Sequence, residues 1–281
     1  MHNRIALTRR RLLTGAAAGL IGGFVPPALA APKVTDLEGL DGLWRDAEDA
    51  IDNFFPRAEF DHAGINLDLP QHADVGSSVP LTVRIDSAMT EADHPFVVHI
   101  LAHKNPTPHV LSAWFKQNAG RAEFSTRIRL EISQTVTAVA QMVDGRHLRV
   151  DRDVSVSFGA CGQIGTGTQD EVFAFMPKTR VSVPPRARKG EIIPIRALIS
   201  HPQETGLRLN STLEWIRERI VSRIGCTFDG VEFFKTRPQA AVATNPYFQF
   251  YARAEKSGVF NFSWYDTRYH TYTDSASIIV A

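Results

Sequence analysis

The strongest constraint on this chain is an alternation of apolar and polar residues, repeated in short runs over most of its length. Val79, Leu81, Val83 and Ile85 alternate with Pro80, Thr82, Arg84 and Asp86. Ile128, Leu130 and Ile132 alternate with Arg127, Arg129 and Glu131, and Val154, Val156 and Phe158 with Ser155 and Ser157. Period two sends successive side chains to opposite faces of a strand, so each run has one face to bury. Turn formers separate the runs: Ala73-Asp74-Val75-Gly76, Asn105-Pro106-Thr107-Pro108 and Asp144-Gly145. The same grammar returns after residue 190. Ile193, Ile195, Ala197 and Ile199 share one face, as do Phe248, Phe250, Ala252 and Ala254, and Phe260, Phe262 and Trp264. Asp229-Gly230, set between Cys226-Thr227-Phe228 and Val231-Glu232-Phe233, is the clearest hairpin signal. The pattern predicts an all-β chain of two immunoglobulin-like β-sandwich domains, over 36–160 and 179–281.

One helix is expected, in the first domain. Leu40, Leu43, Trp44, Ala47, Ala50, Ile51 and Phe54 recur at helical spacing over Leu37 to Phe54. Asp36 or Asp41 can cap its start, and Pro56 stops it. Two segments stay open. Glu171 to Met176 reads as an edge strand or as a hydrophobic plug. Leu213 to Ile220 is helix-capable but runs directly into a strand.

Residues 1–30 read as an export signal. Arg4, Arg9, Arg10 and Arg11 form a basic start, Leu12 through Leu29 is apolar and small, and Ala28-Leu29-Ala30 is a cleavage pattern. Thr8-Arg9-Arg10-Arg11-Leu12-Leu13 fits the twin-arginine route, which moves folded proteins; a general secretion signal with extra arginines is the rival. The apolar run is broken by Pro26-Pro27 and is short for a membrane span. The mature protein is therefore expected in the periplasm with no membrane span. A formal net charge of +1 with no basic stripe excludes nucleic acid as the expected partner.

Between the two domains, 161–178 forms an arm and linker. Cys161 stands there among Gly159, Gly162, Gly165 and Gly167. Glycine leaves the backbone free to move and shields nothing, so a thiol here is presentable to other proteins. No lysine or histidine lies within ten residues of it, and Arg152 is the nearest basic residue. That argues against a self-sufficient thiol enzyme, as does the lack of a C-x-x-C pair. Cys226 shares strand parity with Ile220, Ile224 and Phe228 and reads as a small buried hydrophobe, so a Cys161–Cys226 disulfide is the lesser reading. No cofactor site is apparent: the glycines lack the lysine of a phosphate loop, and no nucleophile elbow occurs. No metal site is expected either. His94, His99, His103 and His109 cluster in sequence. On a strand, however, His99 and His103 lie about 13 Å apart, too far to share a metal. These histidines are read as surface or interface residues.

The second domain resembles SoxZ. It does so through Lys189-Gly190-Glu191, Ile199-Ser200-His201-Pro202-Gln203-Glu204-Thr205-Gly206-Leu207-Arg208, Cys226-Thr227-Phe228-Asp229-Gly230 and Asn245-Pro246-Tyr247-Phe248. The first is similar to SoxY through Asn105-Pro106-Thr107-Pro108, Thr126-Arg127-Ile128-Arg129-Leu130 and Val136-Thr137-Ala138-Val139-Ala140. The resemblance implies a non-enzymatic carrier that holds a sulfur-containing group covalently on Cys161 while partner enzymes process it. The family arm is Gly-Gly-Cys-Gly-Gly at a free C-terminus; here it reads Gly159-Ala160-Cys161-Gly162-Gln163 and is internal. This is similar to the fused carriers associated with quinoprotein dehydrogenases. The implied partners are periplasmic sulfur-oxidising enzymes or a quinoprotein dehydrogenase/cytochrome system, and self-association is compatible with either. A non-catalytic accessory protein with a vestigial cysteine is the alternative. Cys161 lies three residues past Phe158, a reach of about 10 Å. An internal loop must enter a partner doubled over, which favours an open cleft over a tunnel.

Overall fold

The computed structural model describes residues 44–159, 167–210 and 212–281. The export signal, Cys161, Gly162 and Gly165 lie outside them. The first half contains helix α1 (Ala47–Phe54) and strands β1 (Phe60–Asp61), β2 (Ile65–Asp68), β3 (His72–Val75), β4 (Val79–Ile85), β5 (Pro95–Ala102), β6 (His109–Phe115), β7 (Glu123–Ile128), β8 (Gln134–Met142) and β9 (His147–Phe158). A short helix α2 (Gln169–Ala174) follows. The second half contains β10 (Lys178–Ser182), β11 (Arg186–Ala187), β12 (Ile192–Ser200), β13 (Val221–Phe228), β14 (Val231–Pro238), β15 (Tyr247–Arg253), β16 (Gly258–Asp266) and β17 (Thr271–Val280).

The chain is all-β in immunoglobulin-like layers, and the two halves join edge to edge. The larger sheet runs β1-β9-β8-β5-β6-β14-β13-β16-β17-β11, with β3 also on β9. The smaller runs β10-β12-β15-β7-β4-β2. The joint in the larger sheet is antiparallel, from Phe115 opposite Phe234 to Leu111 opposite Pro238. In the smaller sheet it is the single pair Gln249 and Ser125. One hydrophobic core fills the space between the layers and includes residues of both halves.

Aromatic rings seal the joint. Phe115 meets Phe234 at 5.6 Å and Phe124 at 6.0 Å, and Phe234 stacks on Phe250 at 4.2 Å. The predicted alternating faces are buried as expected: Val79, Leu81, Val83 and Ile85 in the first half, and Ile193, Ile195, Ala197 and Ile199 in the second. Asp229 and Gly230 turn the β13–β14 hairpin with φ of 48° and 82°. Positive φ at both turn positions matches the right-handed strand twist, and Asp-Gly supplies it at low cost.

The structure corrects several local expectations. Helix α1 begins at Ala47, and its cap is Asp46, whose carboxylate accepts the Asp49 N–H at 2.9 Å. Neither Asp36 nor Asp41 therefore starts this helix; the competing cap inside the periodic run prevails. Ala73, Asp74 and Val75 are not turn residues but belong to β3, which pairs in parallel with β9. Residues 171–174 are helical, neither edge strand nor plug, because a capping box at Thr168 and Glu171 nucleates α2. Leu213 to Ile220 forms no helix; isolated bridges join Leu209 to Trp215 and Glu204 to Arg219.

His99 and His109 are not surface residues. Antiparallel pairing sets His99 opposite Ser112, on the β5 face that α1 covers with Ala47, Ala50 and Ile51. The Ser112 hydroxyl lies 2.7 Å from His99 Nδ1 and 3.0 Å from His109 Nε2. Phe54 stacks on the His99 ring at 4.0 Å. Burial keeps both rings neutral, aided for His99 by the neighbouring His109 and for His109 by the Arg237 cation, which together with burial outweighs a backbone hydrogen bond at Leu111 that favours the charged ring. His99 is held well below its usual range and His109 is lowered to about 4.

Two expectations follow. Phe234→Ala should destabilise the whole chain by about 3–5 kcal/mol. Urea melts followed by fluorescence and circular dichroism should show one shared transition, because the rings belong to both halves. The histidines give an acid dependence. Their folded pKa values lie below those of the unfolded chain, so the unfolded state takes up the protons. Stability is full above about pH 6.5 and falls as pH drops toward 4. Between pH 7 and 5, His109 should account for a loss of about 2 kcal/mol. His109→Gln should flatten that part of the stability curve, whatever its effect at neutral pH.

Candidate functional site

The arm leaves the first half at the end of β9, and the structure fixes that point tightly. A Cβ on Gly159 would sit 2.0 Å from the Glu131 carbonyl oxygen, so only glycine fits there. Gly159 therefore acts here as a close-contact residue against the 129–134 segment. Asn105 shapes that segment. Its side chain donates to the Arg129 carbonyl at 2.8 Å and accepts the Glu131 N–H at 3.0 Å and the Gln134 amide at 2.9 Å. Ser133 Oγ accepts the Val156 N–H at 2.9 Å, tying the same segment to β9. Phe158, Val75 and Ile132 stand exposed around this exit.

The downstream end of the arm is fixed by the second half. A Cβ on Gly167 would meet Glu171 Oε2 at 3.6 Å and Arg208 Nη2 at 3.8 Å, ordinary contacts. Thr168 and Glu171 then cap α2 reciprocally. The buried Arg219 guanidinium closes the helix at its other end. Its Nη1 donates to the carbonyls of Val172 at 2.6 Å, Phe175 at 2.9 Å and Phe173 at 3.3 Å. A helix C-terminus leaves carbonyls without partners, and a cation satisfies both their lone pairs and the helix dipole. Arg268 lies over the Phe173 ring at 3.8 Å, and Gln169 Oε1 accepts the Arg217 N–H at 2.7 Å.

Asp266 carries the counter-charge. Its carboxylate faces Arg219 Nε at 3.4 Å and His201 Nε2 at 3.8 Å, and accepts the N–H groups of Arg268 and His270 at 3.0 Å each. Burial alone would raise its pKa. The facing His201 and the two backbone donors outweigh burial and hold it well below the carboxylate range. His201 Nδ1 accepts the Gln203 N–H at 3.1 Å, so the neutral ring carries its proton on Nε2, toward Asp266. Burial lowers the His201 pKa, and Arg219 adds to the effect.

Of the residues singled out in the sequence, Gly159 and Gly167 mark the two fixed ends. Cys161, Gly162 and Gly165 lie between them, outside the described residues. Cys226 is a free, buried thiol whose pKa burial pushes well above the usual range, so it is inert. Local sequence did not single out Asn105, Arg208, Arg219 or Asp266 as arm residues. Asn105 and Arg208 do stand in the blocks that carry the family resemblance. Arg219 had no such signal; it follows Arg217-Glu218 and precedes Ile220-Val221. Among the described residues, no group of three or more histidine, cysteine or acidic side chains is placed to hold a metal. No helix there is long and apolar enough to cross a membrane.

Two family models match the chain, one in each half. The family model "Sulfur oxidation protein SoxY" matches residues 51–161 and so ends on Cys161; "Sulphur oxidation protein SoxZ" matches 181–277. The sulfur carrier protein SoxY from Chlorobium limicola f thiosulfatophilum is 25% identical, over 39% of this chain and 94% of that one, with a TM-score of 0.33. A superoxide reductase (neelaredoxin) from Ignicoccus hospitalis is 16% identical, over 37% of this chain and 79% of that one, with a TM-score of 0.30. No curated protein is significantly similar to the chain. The chain belongs to the SoxY family in its first half and the SoxZ family in its second, and is a fused SoxYZ-type sulfur-oxidation carrier.

Proposed function

We propose that this protein is a periplasmic carrier that holds a sulfur-containing group covalently on Cys161 and presents it to separate sulfur-oxidising enzymes. One observation carries the reading: the SoxY-family match closes on Cys161, two residues past a glycine wedged against the Glu131 carbonyl. The other thiol in the chain, Cys226, is sealed in the core and cannot compete for cargo. The arginine-rich start supports export. A chain held at Gly159 and again at Thr168 offers its sulfur on a short loop, which suits partners with open clefts. Such a carrier needs no strongly activated thiol of its own, because its partners supply the activation.

Intact-mass analysis of protein from its native cells tests the reading. An adduct is expected that maps to Cys161 and is released by reductant. A Cys161→Ser strain should lose sulfur-compound oxidation. If that strain keeps full function, the protein is an accessory component with a vestigial cysteine.

The downstream anchor gives an independent expectation. Arg219→Met leaves Asp266 buried without its cation and frees the α2 carbonyls, for an expected loss of about 3–5 kcal/mol. Protease cleavage between 160 and 178 should rise before the strands of either half become susceptible.

A further inference from the structure

A slot of about 190 Å³ lies at the end of the second-half sandwich remote from the α2 anchors, with Asn118 of the first half also lining it. The arm anchors stand at the start of β13 and the ends of β12 and β16. The slot opens at the other ends of the same strands, and β13 alone spans about 26 Å. The slot therefore lies at the opposite end of these strands from the α2 anchors.

Its walls are apolar. Phe228, Phe233 and Phe260 supply three rings, with Ile193, Ile278 and Ala254 between them. Phe228 and Phe260 lie 4.6 Å apart, and Phe233 and Phe260 5.8 Å apart. Gly258 lets the Phe228 ring close over the end of the sandwich, since a Cβ there would lie 2.5 Å from Phe228 Cζ. A cavity of about 150 Å³ with such walls stays dry and accepts benzene. The slot therefore has room for one ring and a short substituent.

Its mouth is charged. Lys256 is engaged by Asp229 at 2.8 Å. Arg253 also lines the mouth, is partly buried, and makes no side-chain hydrogen bond or ion pair among the described residues. Glu255 lines it too, but is exposed to solvent. A charge-assisted bond strengthens as water is excluded, so the half-buried arginine dominates recognition.

We propose that this slot binds a small single-ring hydrocarbon bearing one anionic group, with the ring among the three phenylalanines and the anion on Arg253. The site is independent of the carrier reading. The test is a titration of the full chain, methyl-labelled at isoleucine, with benzoate, phenylacetate, benzyl alcohol and benzylamine. Saturable shifts are expected at Ile193 and Ile278, with the two acids binding about tenfold or more tighter than the alcohol. Arg253→Gln, a change at the mouth that leaves the core intact, should remove that advantage and leave the alcohol unaffected. Cys161→Ser should change none of these shifts. The proposal is overturned if no probe saturates, if benzylamine matches the acids, or if Arg253→Gln leaves benzoate binding unchanged.

Discussion

The pairing of β6 with β14 governs the rest of the molecule. Five residue pairs, from Phe115–Phe234 to Leu111–Pro238, turn two sandwich edges into one ladder. A bare strand edge invites association with any other strand, and each half covers the edge of its neighbour. Pro238 cannot donate to the ladder, so it stands where the pairing ends. The smaller sheet is joined by one pair only, and side chains supply the rest. Thr126 Oγ1 donates to the Tyr247 carbonyl at 2.8 Å, and Phe124 stacks near Phe248 at 6.5 Å. A slip of one residue in the larger ladder would reverse every side chain of β14, taking Phe234 out of the core.

That fixed register also sets the separation of the arm's two ends. The upstream end rests on the 129–134 segment, which Asn105 holds. Arg129, in the same segment, reaches across the joint to the carbonyls of Gln203 at 2.8 Å and Ala240 at 3.1 Å and to Thr244 Oγ1 at 2.7 Å. Gln203 contacts His201, His201 faces Asp266, and Asp266 faces Arg219, which holds α2. One buried polar chain therefore connects the residue that shapes the arm's root with the residue that secures its far end. Buried polar groups of this kind are costly to leave unmatched, and here His201 Nε2 and Gln203 Nε2 find no hydrogen-bond partner among the described residues. The two ends of the arm are held by this network together with Gly159 and the Thr168–Glu171 cap.

Legibility in the sequence divides along the same line. Alternating faces, the Asp-Gly turn and the buried parity of Cys226 are local properties, and a strand's own residues display them. The short helix α2 was written locally as well, in Thr168 and Glu171, but six residues carry too little periodicity to outweigh an apolar run. His99 on β5 and His109 on β6 become interior once α1 crosses that face, and nothing within either strand announces a covering helix. Arg219 and Asp266 are 47 residues apart and meet only after β13 and β16 pair. Their relation to the arm depends on three separate elements folding together.

Fusing the halves changes the arm's mechanics. A joint of five ladder pairs and a few rings between separate chains would depend on concentration, and a covalent link converts that association into an intramolecular one. The linker that does this also contains Cys161, the cysteine proposed to hold cargo. Downstream of Cys161 the sequence has six residues, among them Gly162, Gly165 and Gly167, before Thr168. On the upstream side the sulfur stands two residues from Gly159, which is backed by the Glu131 carbonyl and cannot yield. Two residues span at most about 7 Å, so chain length alone keeps Cys161 within that distance of Gly159.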